Sequence, residues 1–134
     1  MYIDKLKNST FFEDDAEQYM LNYLCSKGIN NYDYINFFKK HGLGFFNDNI
    51  LYINEDEYSI ECFLGSSENS AYDIIKCNKI RDLDSTPVCA IAMLYGDDLI
   101  CLSNRDLAVY FWDDNNLVKI ADSFSEFIKK IQLV

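Results

Sequence analysis

The sequence predicts a single α+β domain with a mainly antiparallel central sheet, helices packed against that sheet, and a C-terminal helix that closes the fold. Three observations support this class: amphipathic helices near the N-terminus, four apolar runs joined by tight turns in the second half, and a capped apolar helix at the end. The chain has 134 residues, the length of one domain, and residues 1–134 are treated as one unit. Hydrophobic residues make up 49% of it, enough for a full core.

A first helix is predicted over residues 14–27, because the apolar residues there recur at helical spacing. Asp14 and Glu17 resemble a capping box at its start, and Gly28 is in the usual position for a glycine that ends a helix. The predicted buried stripe consists of Ala16, Tyr19, Met20, Tyr23 and Leu24.

A second helix follows, with Asn31 as its cap and Gly42 as its stop. His41 lies in the last turn, where a cation suits the helix dipole, and is expected to be a surface residue. The predicted buried face consists of Tyr34, Ile35, Phe37 and Phe38.

The middle of the chain indicates strands. Residues 49–53 and 58–64 are predicted to be strands, and the acidic segment 54–57 is predicted to be the loop between them. Residues 65–70 have the composition of a loop. Residues 72–80 fit either a short helix or another strand, and periodicity leaves both open.

The second half predicts an antiparallel meander followed by a helix. Residues 88–95 form an eight-residue apolar run, long enough for a central strand covered on both faces. Three polar turns separate it from the later runs 99–103, 107–112 and 117–121. Ser123 and Glu126 then form a capping box. The buried stripe of the closing helix consists of Phe124, Phe127, Ile128 and Ile131.

The charge balance excludes two classes of partner. With 22 acidic and 12 basic residues the formal net charge is -10, so the surface repels both nucleic-acid phosphates and anionic lipid heads. We therefore expect no nucleic-acid and no membrane partner. The acidity serves either solubility or the steering of a basic protein partner toward this chain.

The residues that usually carry catalysis or bind metals are sparse. The five cysteines are an odd number without C-x-x-C spacing, and His41 is the sole histidine, so neither a metal site nor a cofactor site is expected. Four of the cysteines lie in or beside apolar runs, as free buried thiols do in a reducing compartment. Met1 to Lys7 lacks the apolar core of a signal peptide, so the expected location is the cytoplasm.

Paired carboxylates leave one enzymatic alternative open. The pairs Asp97–Asp98 and Asp113–Asp114 fit solvated turns, which is the simpler interpretation. A hydrolase that used such a pair would need a deep pocket with two convergent carboxylates. We expect no catalytic residues and treat this hydrolase as the least favoured function.

Four segments resemble the SUKH superfamily of Smi/Knr-like proteins, which includes many bacterial toxin-immunity proteins. They are YDYINFFKKHG at residues 32–42, IAMLYGDD at 91–98, VYFWD at 109–113 and IADSFSEFI at 120–128. Their order and spacing, more than any one segment, make the match specific. The resemblance implies one α+β domain with no catalytic residues.

The resemblance also implies a function. Relatives of this kind are thought to neutralise a cognate toxin, often a nuclease, and the acidic surface would suit a basic toxin domain. The alternative is a regulatory or scaffold module that binds an endogenous protein. If the acidic turns form the interface, the partner-binding residues are Glu55, Asp56, Glu57, Asp97, Asp98, Asp113 and Asp114.

Overall fold

The computed structural model describes residues 7–10, 14–46, 48–113 and 116–133. These residues form four helices and ten strands. In chain order the elements are β1 (Lys7–Thr10), α1 (Asp14–Ser26), α2 (Tyr32–His41), β2 (Leu43–Phe45), β3 (Asn49–Ile53), β4 (Asp56–Tyr58), β5 (Ile60–Phe63), α3 (Ile74–Ile80), β6 (Val88–Leu94), β7 (Leu99–Ser103), β8 (Val109–Trp112), β9 (Leu117–Ala121), α4 (Phe124–Lys129) and β10 (Gln132–Leu133).

The strands form a large sheet and a small one. The seven-stranded sheet has the order β1-β2-β5-β6-β7-β8-β9, and each described pair of neighbours is antiparallel. The three-stranded sheet has the order β10-β3-β4 and is also antiparallel. The predicted α+β class, the meander of β6 to β9 and the C-terminal helix are confirmed.

The core is built around β6 and β7. Every residue of both strands is buried, so both faces of the sheet are covered there, as the apolar run predicted. Asn78 of α3 is fully buried and ties that helix to β6. Its side-chain amide donates to the Ala90 carbonyl at 3.1 Å, and its oxygen accepts the Ala90 N–H at 2.7 Å. The buried backbone groups of Ala90 therefore both have hydrogen-bond partners.

Aromatic side chains fasten α2 and α4 to the sheet. The Phe63 ring of β5 lies 4.6 Å from the Phe37 ring and 6.4 Å from the Phe127 ring, measured between centroids. Both helices begin at the predicted caps. The Tyr34 N–H donates to Asn31 Oδ1 at 3.0 Å, and the Glu126 N–H donates to Ser123 Oγ at 3.1 Å.

Several local predictions need correction. His41 is 6% exposed and lies 4.6 Å from the Phe37 ring, because a residue four positions after a buried one shares its helix face. The surface assignment of His41 was therefore wrong. Tyr19 was predicted to be buried but is 67% exposed, so the buried face of α1 is narrower than predicted.

The strand boundaries also differ from the sequence prediction. The predicted strand 58–64 is interrupted at Ser59, whose neighbours belong to different sheets. Asp56 and Glu57 lie in β4 rather than in a loop. The ambiguous segment forms helix α3, since Asp73 caps it by accepting the Lys76 N–H at 3.0 Å. Among the described residues, no helix combines the length and apolar character needed to cross a membrane.

Candidate partner-binding surface at the acidic end of the sheet

The turn between β6 and β7 carries the first pair of predicted site residues. Gly96 and Asp97 both have positive φ, at +97° and +72°, so the chain reverses through two left-handed residues. The Leu94 N–H donates to the Asp98 carbonyl at 2.9 Å and closes the turn. Asp97 is exposed and Asp98 half-buried, so this turn presents acidic side chains at the end of the sheet.

The turn between β8 and β9 lies beside it. Leu99 pairs with Trp112, so the residue before Leu99 and the residue after Trp112 are at the same end of the two strands. These residues are Asp98 and Asp113. The Asp113 carboxylate accepts the Asn116 N–H at 2.9 Å, which fixes it within its own turn. Asp114 lies outside the described residues.

The β3–β4 hairpin holds the remaining predicted residues. Glu55 is at the tip, with φ +74°, and Asp56 and Glu57 follow it in β4. Glu57 is opposite Tyr52 in the strand pairing, and both are exposed. The hairpin therefore presents the acidic side chains of Glu55 and Glu57 to solvent.

Tyr58 shows which carboxylates the fold brings together. Burial raises the pKa of this phenol, and the negative charges of Asp56, Asp98 and Asp113 raise it further. The Tyr58 ring lies 5.0 Å from the Phe111 ring, between centroids, so it is held against the core while the charges of three acidic groups act on its hydroxyl. We call Asp56, Asp97, Asp98 and Asp113 the acidic end.

Arg81 is a residue of this region that the sequence prediction missed. It follows the last residue of α3, and its Nη2 donates to the Asp97 carbonyl at 2.9 Å. Its guanidinium carbon lies 5.7 Å from the centroid of the Trp112 ring, within the range of a cation–π contact. A helical assignment of residues 72–80 would have indicated its role, because it places Arg81 at the C-terminal end of α3, where a cation is favoured.

A separate open cavity of about 400 Å³ lies between β9 and α4. Its acidic residues are held by lysines, since Lys119 Nζ lies 2.9 Å from Asp122 and Lys129 Nζ lies 3.4 Å from Glu126. Ion pairing favours the charged form of a carboxylate, and the pKa of Asp122 is lowered by the hydrogen bond and charge of Lys119. This cavity lies away from the carboxylate pairs that the hydrolase alternative requires.

Burial makes four of the five cysteines unsuited to act as reactive thiols, whereas Cys25 is exposed. All five are free, four are buried, and burial raises the pKa of the Cys62 and Cys89 thiols to about 12. Protonated buried thiols are poor nucleophiles and poor metal ligands. Within residues 7–10, 14–46, 48–113 and 116–133, no three His, Cys, Asp or Glu residues are grouped so as to hold a metal ion.

Comparison with known proteins places most of the chain in one family. A family model described as SMI1-KNR4 cell-wall, SUKH_6, matches residues 31–128, nearly three quarters of the sequence. The matched segment runs from the cap of α2 into α4 and includes the acidic end and Arg81. No curated protein and no solved structure matches the chain significantly.

Proposed function

The chain belongs to the SUKH_6 family, and from that premise we propose that it is an immunity protein that binds and neutralises a cognate toxin domain. The family consists generally of non-catalytic binding domains and commonly of immunity proteins. The match over residues 31–128 is the observation that carries the proposal. Membership of the family implies a protein partner such as a toxin. We infer the charge of that partner from the net charge of this chain.

The charge favours a basic partner, and a nuclease domain fits best. A cleft that binds phosphates is usually lined by Lys and Arg, and a chain with a formal net charge of -10 is attracted to it over several ångströms. Support for an acidic contact surface comes from Asp98 and Asp113, which adjoin paired residues of β7 and β8, and from Asp56, whose charge acts with theirs on Tyr58. We therefore place the contact surface at the acidic end and assign it the steering of association.

We also propose that the protein acts in the cytoplasm of the cell that makes the toxin. Its five cysteines are free and four of them are buried in the core. Thiols remain reduced in that compartment, whereas an oxidising one would expose folding intermediates to incorrect disulfides.

The experiment is co-expression with the C-terminal domain of a toxin encoded beside this gene. The wild-type chain should restore growth and co-purify with the toxin domain. If it gives neither growth nor a complex, the immunity function is wrong and the regulatory or scaffold alternative is favoured. Capture of the same endogenous protein from the native host would support that alternative.

Charge reversal tests the contact surface in the same complex. Asp98→Lys should slow association by about tenfold and reduce its dependence on salt, because steering acts on the association rate. Glu68→Lys is the matched control, since the loop after β5 lies at the opposite end of that strand from Ile60, which pairs with Leu94. Equal association rates for the two variants would remove the acidic end from the contact surface.

A further inference from the structure

The acidic end borders exposed apolar side chains that the charge pattern does not explain. The described residues leave six large hydrophobic side chains exposed, and three of them lie in this region. Ile80 is 65% exposed, Tyr95 is 60% exposed and Leu117 is 46% exposed. Single exposed apolar residues are ordinary, whereas several that adjoin one another indicate a binding surface.

Contacts of Arg81 and Trp112 join the segments that carry these side chains. Ile80 precedes Arg81, whose guanidinium lies over the Trp112 ring and donates to the carbonyl of Asp97. Leu117 is opposite Trp112 in the pairing of β8 and β9, so their side chains are on the same face of the sheet. Tyr95 is two residues before Asp97. We call Ile80, Tyr95, Trp112 and Leu117 the apolar platform.

We propose that the apolar platform is the centre of the toxin-binding surface and that the acidic end forms its rim. This inference rests on the proposed immunity function and names the residues that would slow dissociation of the complex. The occupant is a protein surface with an apolar centre and basic residues around it. Charge complementarity supports that choice, because Asp98 and Asp113 adjoin the paired residues Leu99 and Trp112, and the Arg81 guanidinium is engaged by the Asp97 carbonyl and the Trp112 ring.

The two parts of the surface have different kinetic roles. Carboxylates at a rim act at long range and change the association rate. Apolar and aromatic anchors act after contact, when water is excluded from them, and change the dissociation rate. Tyrosine and tryptophan are common among such anchors because they bury a large area at a small cost in side-chain entropy.

The test measures both rate constants for the complex with the catalytically inactivated toxin domain encoded beside this gene. Tyr95→Ala and Leu117→Ser should each raise the dissociation rate by about tenfold or more, with the association rate within about twofold of wild type. Both side chains are exposed, so the variants should fold, and thermal unfolding of each checks this.

Tyr32→Ala is the matched control. Tyr32 is 78% exposed and lies at the start of α2. The next residue, Asp33, accepts a hydrogen bond from Ser125 of α4 at 2.5 Å, and α4 begins beyond the end of β9 that is remote from Leu117. This control should leave both rate constants near the wild-type values.

The outcomes separate the inference from the function on which it rests. If wild type binds and protects but the platform variants dissociate no faster than Tyr32→Ala, the platform is not the contact centre and the immunity function stands. If wild type neither binds nor protects, the proposed function itself fails. Faster dissociation of both platform variants, together with an unchanged control, supports the inference.

Discussion

Tyr34 buries a hydroxyl group that has no hydrogen-bond partner among the described residues. Its ring packs edge-to-face on Phe124, with 5.2 Å between centroids, and the side chain is 1% exposed. A buried hydroxyl without a partner loses its hydration and gains nothing in return. Tyr34→Phe should therefore raise the free energy of unfolding by about 0.5 to 1 kcal/mol, measured by denaturant unfolding.

Tyr23→Phe is the contrasting substitution. The Tyr23 hydroxyl donates to Asp84 Oδ1 at 2.6 Å, and the same carboxylate lies 3.8 Å from the buried Lys27 ammonium. Removing this hydroxyl should lower the free energy of unfolding by about 1 kcal/mol. Loss of stability in Tyr34→Phe would show that its hydroxyl is satisfied, for example by a bound water.

At the scale of elements, the turn of the β3–β4 hairpin contains backbone strain that a single substitution should relieve. Ile53 pairs with Asp56, which leaves a two-residue turn of Asn54 and Glu55 with φ of +50° and +74°. This is the backbone of a type I′ turn, for which Asn-Gly is the favoured sequence. Glu55→Gly should raise the free energy of unfolding by about 0.5 to 1 kcal/mol, because glycine adopts positive φ without a steric cost.

Glu57→Gly controls for the general effect of glycine. Glu57 lies within β4, where φ is not positive, and is exposed, so its replacement should lower the free energy of unfolding by about 0.5 to 1 kcal/mol. Opposite signs for the two variants would locate the strain in the turn. A loss of stability in both would contradict it.

At the scale of the whole molecule, the sequence pattern predicted those helices and strands whose formation depends on neighbouring residues. The cap at Ser123 and the apolar run of β6 were sufficient to predict α4 and the central strand. The polar strand β1 was not predictable, because its sequence KNST has no alternation and it forms by pairing with β2.

The same distinction applies to the candidate site. Alternate turns of a meander lie at the same end of its strands, and the pairing of Leu99 with Trp112 accordingly places Asp98 and Asp113 at one end. The approach of Tyr58 and of Arg81 could not be predicted, since β4 and α3 reach this end of the sheet through tertiary packing. The pattern of apolar and polar residues along the chain does not predict contacts between elements that are distant in sequence.

The buried thiols make the stability of the whole domain sensitive to alkaline pH. Cys62, Cys77, Cys89 and Cys101 lie on β5, α3, β6 and β7, and burial is the first cause of the raised pKa of each. The pKa is about 12 for Cys62 and Cys89, against an ordinary value of 9.0. Above pH 9 the unfolded chain loses thiol protons that the folded chain keeps, so the free energy of unfolding falls as pH rises.

Each such thiol should contribute a slope of about 1.4 kcal/mol per pH unit between its unfolded and folded pKa. Below pH 9 both states hold the proton, and the thiols should give no slope.

Denaturant unfolding between pH 8 and 10 measures this, with Cys62→Ser as the comparison, because serine does not titrate in that range. The variant should be less stable at pH 8 and should show a slope smaller by the contribution of one thiol. An identical slope in both proteins would mean that Cys62 ionises without unfolding the core, and a flat profile in the wild type would mean that the thiols are accessible to solvent.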